Sequence, residues 1–353
     1  MSPSTQGSMS MQDAKASLIA RAETPGTNPI LSNPVLSNPV LSNADLPLRA
    51  TFFPLGFPVE ITTNSAAVLA AAEQSWRMFR PQFDHPPLRL ELGVAEDESD
   101  TADPPTPVCR VREHLLTIVA DPRNFIACDL RRGFAFGWVT RATAESPLYL
   151  RYHFLEAAVL GMLSTLRATA LHAACVAPYG RGMLLCGDSG AGKSSLAFAG
   201  ARSGWTYISD DASYLPLDRD DRLVVGNSHQ IRFRDSGVQL FPELEGRSIT
   251  PRAAGKPSIE VSTLEFPELT TSDSTRVEYI VFLNRRNAAT PGLHPFSREA
   301  ALRWFLQTSL LSAGAADHEA VVRNLVGVQV FELRYTDLDW AVERLEELAL
   351  TRR

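Results

Sequence analysis

The chain has 353 residues and 38.7 kDa, about twice a typical domain length; its 44% apolar, 21% charged and 8% aromatic content excludes collagen-like, mucin-like and wholly disordered chains. With 34 Lys and Arg against 40 Asp and Glu, the net charge of −6 offers no bulk attraction to a nucleic-acid backbone or an anionic membrane, so neither is an expected partner. Cys109, Cys128, Cys175 and Cys186 show no CxxC spacing and are too sparse for a disulfide framework or a Cys-ligated zinc site, which fits a reducing cytoplasm. The most apolar stretch of helical length, 152–169, is interrupted by His153, Glu156 and Arg167, whereas a spanning helix needs about 20 nearly uncharged residues. Leu18, Ile19 and Ala20, set among Asp13, Lys15 and Arg21, are too few for a secretory signal, so a cytoplasmic location is expected.

Residues 1–45 are rich in Ser, Asn and Pro and repeat Leu-Ser-Asn-Pro-Val from Leu31 and again from Leu36. Each Asn-Pro pair removes a backbone donor and biases the Asn away from helix, so a disordered tail is expected. Residues 46–165 read as a small α+β domain. An apolar run over 52–57 leads into a strand over 59–61. A helix then starts near Ser65, with Asn64 or Ser65 as N-cap and Val68, Leu69, Ala72, Trp76 and Phe79 at helical spacing. Strands over 88–92 and 115–119 flank an acidic, Pro-rich surface insert at 96–107, and a helix over 148–166 follows.

Residues 166–353 alternate strands and helices, as a parallel, helix-flanked sheet demands, so the fold class is α/β. Strands are expected over 183–186, 205–209, 277–283 and 328–333, a hairpin over 214–225, and helices over 192–203, 298–312, 317–325 and 338–350.

Between the first of these strands and the first helix lie Gly187, Asp188, Ser189, Gly190, Ala191, Gly192, Lys193 and Ser194, which satisfy the phosphate-loop pattern of Gly, four residues, Gly, Lys, Ser. The glycines let backbone N–H groups approach a phosphate at the positive end of a helix. Lys193 supplies charge to the β and γ phosphates of ATP, and the Ser194 hydroxyl can coordinate Mg²⁺. Asp210 and Asp211 end the next strand, where ligands of open α/β sheets gather. One carboxylate can hold Mg²⁺ while the other accepts a proton from an attacking hydroxyl; spacing leaves the assignment open. His172 precedes an apolar strand about one hairpin before the loop. Arg232, Arg234, Arg247, Arg252 and Lys256 together could bring positive charge to a transferring phosphate, although each taken singly reads as solvated surface charge.

The order and spacing of Leu171-His172-Ala-Ala-Cys175-Val, Tyr179-Gly180, the loop Gly187–Ser194 and Ser209-Asp210-Asp211 resemble the catalytic core of the HPr kinase/phosphorylase family. Leu240-Phe-Pro-Glu243 is similar to HPr-kinase-related proteins found near peptide-modification genes. The resemblance implies a P-loop kinase domain and transfer of the γ-phosphoryl group of ATP to a serine hydroxyl of a protein or peptide. By the same resemblance His172 and Asp210 assist proton transfer, and Asp211 supports them or the metal. This chain has Ser195 where the bifunctional enzymes have Glu, and only His229-Gln-Ile-Arg-Phe-Arg234 stands for their signature segment. The first half does not resemble their N-terminal domain, so a homo-oligomer is compatible with the sequence but their hexamer does not carry over. A small-molecule hydroxyl kinase and a non-catalytic ATP-sensing module are the alternative readings.

Overall fold

The computed structural model describes residues 45–95, 104–250, 257–285, 291–308 and 315–351. The expected tail, save Asp45, lies outside the described residues, as do Arg252, Lys256, most of the acidic insert and the end of the helix expected over 298–312. The described chain from Leu46 onward belongs to one contact unit.

The first half is built on a seven-stranded sheet of β1 (Leu48–Phe52), β2 (Val59–Thr63), β3 (Leu88–Val94), β4 (Val108–Arg112), β5 (Leu115–Asp121), β6 (Asn124–Asp129) and β7 (Phe134–Val139), in the order β1-β2-β3-β7-β6-β5-β4. In β2, Val59, Ile61 and Thr63 are buried while Glu60 and Thr62 are not, the period of a sheet with one packed face. β2, β3 and β7 run parallel, and the crossover from β2 to β3 carries helix α1 (Ala66–Trp76), because parallel neighbours cannot be joined by a tight turn. Ser65 takes the N-cap position of α1 in extended conformation but makes no side-chain cap bond. Asn64 is not the cap. Its side chain instead pairs with Val94, donating to the carbonyl at 2.9 Å and accepting from the N–H at 2.8 Å, which ties the entry of α1 to the end of β3.

The helix expected over 148–166 forms and runs without a gap from Pro147 to Leu166, but it carries a π-helical turn within it. A short turn, Pro147–Leu150, passes into a π-helical turn, Arg151–Leu155, and then into α2 (Glu156–Leu166). Leu155, Ala158, Val159, Met162 and Leu163 are buried in the core shared with the first sheet.

The second half carries β8 (Ala168–Leu171), β9 (Ala173–Ala177), β10 (Gly182–Cys186), helix α3 (Lys193–Arg202), β11 (Thr206–Ser209), β12 (Ser213–Pro216) and β13 (Leu223–Gly226). β14 (Gln230–Phe233), β15 (Ile249–Thr250) and β16 (Ser258–Ser262) make a separate three-stranded sheet. β17 (Thr270–Thr271), β18 (Ser274–Asn284), β19 (Gly292–Pro295), α4 (Arg298–Thr308), α5 (Ala315–Leu325), β20 (Gln329–Arg334) and α6 (Leu338–Leu350) follow. The main sheet runs β17-β11-β9-β10-β18-β13-β12-β8, with β20 on the far half of β18 and β19 beyond it.

This sheet is mixed rather than parallel. β10, β18 and β20 are parallel to one another, as are β11 and β17, but β9 runs antiparallel to both β10 and β11. The reason is connection length. β9 reaches β10 through the single turn Pro178–Gly180, which reverses the chain and leaves no room for a crossover helix. One apolar layer covers the sheet with α3 and α6, and another with α4 and α5.

Helix α3 is anchored by Phe198, fully buried, whose ring meets Phe233, Phe241 and Phe266 edge-on at centroid distances of 5.1, 4.9 and 5.1 Å. We expect Phe198→Ala to destabilise the protein by about 3–5 kcal/mol in equilibrium urea unfolding, because the cavity lies among rings that cannot all collapse into it. A loss below about 1 kcal/mol would mean that α3 is held elsewhere.

Candidate active site

The strand-to-helix turn after β10 has the glycine geometry the sequence motif requires. Gly187, Gly190 and Gly192 adopt φ of 144°, 88° and 99°, which side chains with a Cβ rarely tolerate. A Cβ on Gly192 would stand 2.6 Å from the Tyr335 hydroxyl, whereas one on Gly190 would meet nothing within 4 Å, so the loop is clamped at its base and open at its tip. Tyr335 follows β20, donates to the Ala191 carbonyl at 3.2 Å and is pushed up to about 12 by burial, so it stays a neutral donor. Ten residues of α3 begin at Lys193, and the leading N–H groups of a helix have no intrahelical acceptor. Ser189, exposed at the tip, is hydrogen-bonded by Arg234.

Lys193 is only 6% exposed. Its ammonium donates to the carbonyl of Gly187 at 2.8 Å and more weakly to that of Asp188 at 3.4 Å, and it lies 3.1 Å from His172 Nε2. Burial lowers its pKa from the usual lysine value, while Asp211 pulls the other way. With the ammonium donating, the ring proton of His172 belongs on Nδ1, which faces Asp211 Oδ1 at 3.6 Å. Lys193, His172 and Asp211 therefore form one row.

Asp210 stands beside that row, 7% exposed, just past β11. Its carbonyl accepts from Ser194 Oγ at 3.3 Å and its Oδ2 accepts from the Arg232 N–H at 2.8 Å. All four residues singled out as catalytic, with Ser194, are thus brought together. Ser195 is half-buried in the first turn of α3.

The basic segment divides. Arg232 is not solvated charge: its side chain, 17% exposed, lies 3.6 Å from Glu156 and 3.2 Å from Glu260. Burial works against its charge, but the two carboxylates outweigh it and hold the guanidinium above its usual value. Tyr152, presented by the π-turn, also donates to Glu260. Arg247 pairs with Glu265 at 2.7 Å, away from the loop. Sequence reasoning missed Tyr335 and Glu156, which lie far from Lys193 along the chain; only the alternation of Gln230 and Arg232 along β14, with Arg234 just beyond it, hinted at the neighbourhood of Asp210.

These residues fit a nucleotide phosphate and its metal. A glycine cradle open at its tip, a helix N-terminus and a buried ammonium converge on one turn. Among the described residues no group of three or more His, Cys, Asp or Glu gathers into a metal cage.

No family model matches the chain, and no curated protein matches it. Among solved structures it is similar to the HPr(Ser) kinase/phosphatase from Coxiella burnetii, at 11% identity over 51% of this chain and 90% of that chain, with a TM-score of 0.31. An overlap this loose assigns no activity to the chain. No helix among the described residues is long and apolar enough to cross a membrane.

Lys193 binds its proton less readily in the folded chain than in the unfolded one. Between its folded-state pKa and the ordinary value of 10.5, the unfolded chain carries the extra proton and stability rises with pH. Against Lys193→Met protein, the native chain should therefore gain stability as pH is raised from neutrality toward that value in urea titrations. A difference that stays flat, or falls, contradicts the buried cation.

Proposed function

We propose that this chain is an ATP-dependent kinase that transfers a γ-phosphoryl group to a hydroxyl, in the first instance a serine hydroxyl of a protein or peptide. The observation that carries the reading is the convergence of a buried Lys193, an open glycine loop and Asp210 within one hydrogen-bonded neighbourhood. ATP with Mg²⁺ supplies the phosphoryl group and a leaving ADP. The backbone of Gly187 to Ser194 holds the phosphates, and Lys193, released from the Gly187 and Asp188 carbonyls, neutralises charge that builds on them in the transition state. Ser194 and Asp211 are the ligands offered to the metal.

Asp210 is the base. Its Oδ2 is fixed by the Arg232 N–H, which holds the carboxylate still, and it accepts the proton as the hydroxyl oxygen bonds to phosphorus. The bridging P–O bond to the β-phosphate breaks with its electron pair leaving on ADP. His172 bridges Lys193 and Asp211 and keeps their opposite charges in register.

Lys193→Ala should leave the far-UV spectrum unchanged and cut phosphoryl transfer by about 100-fold or more, since it removes charge stabilisation and little core volume. Asp210→Asn should bind Mg-ATP within a few fold of the native protein while transfer falls about 100-fold. Asp211→Asn should weaken Mg²⁺-dependent nucleotide binding instead. Calorimetry with and without Mg²⁺, paired with radiolabel transfer, separates the two carboxylates; full transfer by Asp210→Asn protein removes it as the base.

A further inference from the structure

Transfer needs an acceptor site, and the phosphate loop does not supply one. A cavity of about 110 Å³ opens directly off Asp210 and Asp211. Gln230 also lines it, as do the apolar residues Leu55, Trp76 and Phe79 contributed by the first half of the chain.

One group in this lining has no partner among the described residues. Gln230 Oε1 accepts from Asn227 Nδ2 at 3.0 Å and from Arg232 Nη2 at 3.4 Å. Those two donors fix the amide orientation, because a flipped amide would set its NH₂ against both. Gln230 Nε2 is thereby left buried without a hydrogen-bond acceptor. A buried donor left unmade is costly, and here it lines a cavity that ends on the base of the reaction.

Charge and size narrow the occupant. Asp210, Asp211 and Glu156 line the cavity against one cation, Arg232, which is already matched by Glu156 and Glu260. An anionic acceptor would meet repulsion in a low-dielectric site. Pockets for drug-sized ligands run to about 300–1,000 Å³, so this one admits a single side-chain-sized fragment.

We propose that this cavity is the acceptor site and takes a neutral fragment whose reactive hydroxyl neighbours a second oxygen, the hydroxyl meeting Asp210 and the second oxygen meeting the Gln230 amide. The inference rests on the phosphotransfer proposed for this site. A serine residue with its own carbonyl and a small polyol both carry this pattern.

The test uses the full chain with Mg-ATP and coupled detection of ADP, and three probes: the blocked tripeptide acetyl-Ala-Ser-Ala-amide, glycerol, and the anion glycerate. Two variants probe the cavity. Gln230→Glu keeps an acceptor for Asn227 and Arg232 but replaces the NH₂ with an anionic oxygen, and Ala212→Leu fills the space from a lining residue without polar function. We expect a neutral probe to drive ADP release and glycerate not to, with the apparent KM for that probe raised about tenfold or more in both variants. Activity with the tripeptide assigns the fragment to a peptide residue, and activity with glycerol alone assigns it to a small molecule. Preference for glycerate, an unchanged KM in both variants, or no response to either neutral probe in protein that binds Mg-ATP by calorimetry overturns the acceptor site. Failure to bind Mg-ATP at all overturns the phosphate-loop reading, and this inference with it.

Discussion

One residue between two strands organises the second half of the molecule. β8 ends at Leu171 and β9 begins at Ala173, so His172 alone separates them, yet β8 pairs with β12 while β9 pairs with β10 and β11. One residue cannot turn or cross over, so the chain continues onward and the sheet forks around it. The opposing chain forks at the matching place, where Asp210, Asp211 and Ala212 separate β11 from β12. Ser213 stitches the fork closed, donating to the Ala173 carbonyl at 2.9 Å and sharing a hydrogen bond with Ser209 at 2.7 Å. Imidazole and carboxylates therefore face one another because the same interruption occurs twice in neighbouring ladders.

The glycine loop after β10 adds the opposite charge to that fork. Its ammonium is desolvated by burial and bonded to two carbonyls and an imidazole, and Asp211 and Asp188 balance it from further off. Such a group is poorly stabilised in the folded chain and strongly stabilised by an incoming anion. The clamp of Tyr335 on Gly192 and Ala191 keeps the base of the loop in shape meanwhile. The thiol of Cys186, at the end of β10, is pushed far up by burial and offers no nucleophile here.

What the sequence disclosed tracks the range of the interactions involved. The loop is local: eight consecutive residues specify it, and its glycines carry the positive φ their spacing implied. The closing helix at 338–350 was legible for the same reason, with Val342 and Leu345 buried along one side. The strand order was not legible, because β9 enters between β10 and β11 through a short turn whose consequence depends on pairing partners far along the chain. β6 and β7 escaped notice, since Gly137 and the mixed polar content of β6 blur the alternation that marks a strand. The cavity beside Asp210 was hidden most thoroughly. Trp76 and Phe79 read as ordinary helix-face residues, and only folding brings them to the lining of the same cavity as Asp210.

Arg232 belongs to both halves of the chain. Its backbone N–H steadies Asp210, while its guanidinium is balanced in part by Glu156, which the first half supplies together with Ser75 and Arg151. The second half is accordingly not portable. Grafted onto a different neighbour, it would leave a half-neutralised cation on the very residue whose N–H steadies Asp210, so any lineage that exchanges the first half must restore a carboxylate in the place of Glu156 or give up arginine at 232.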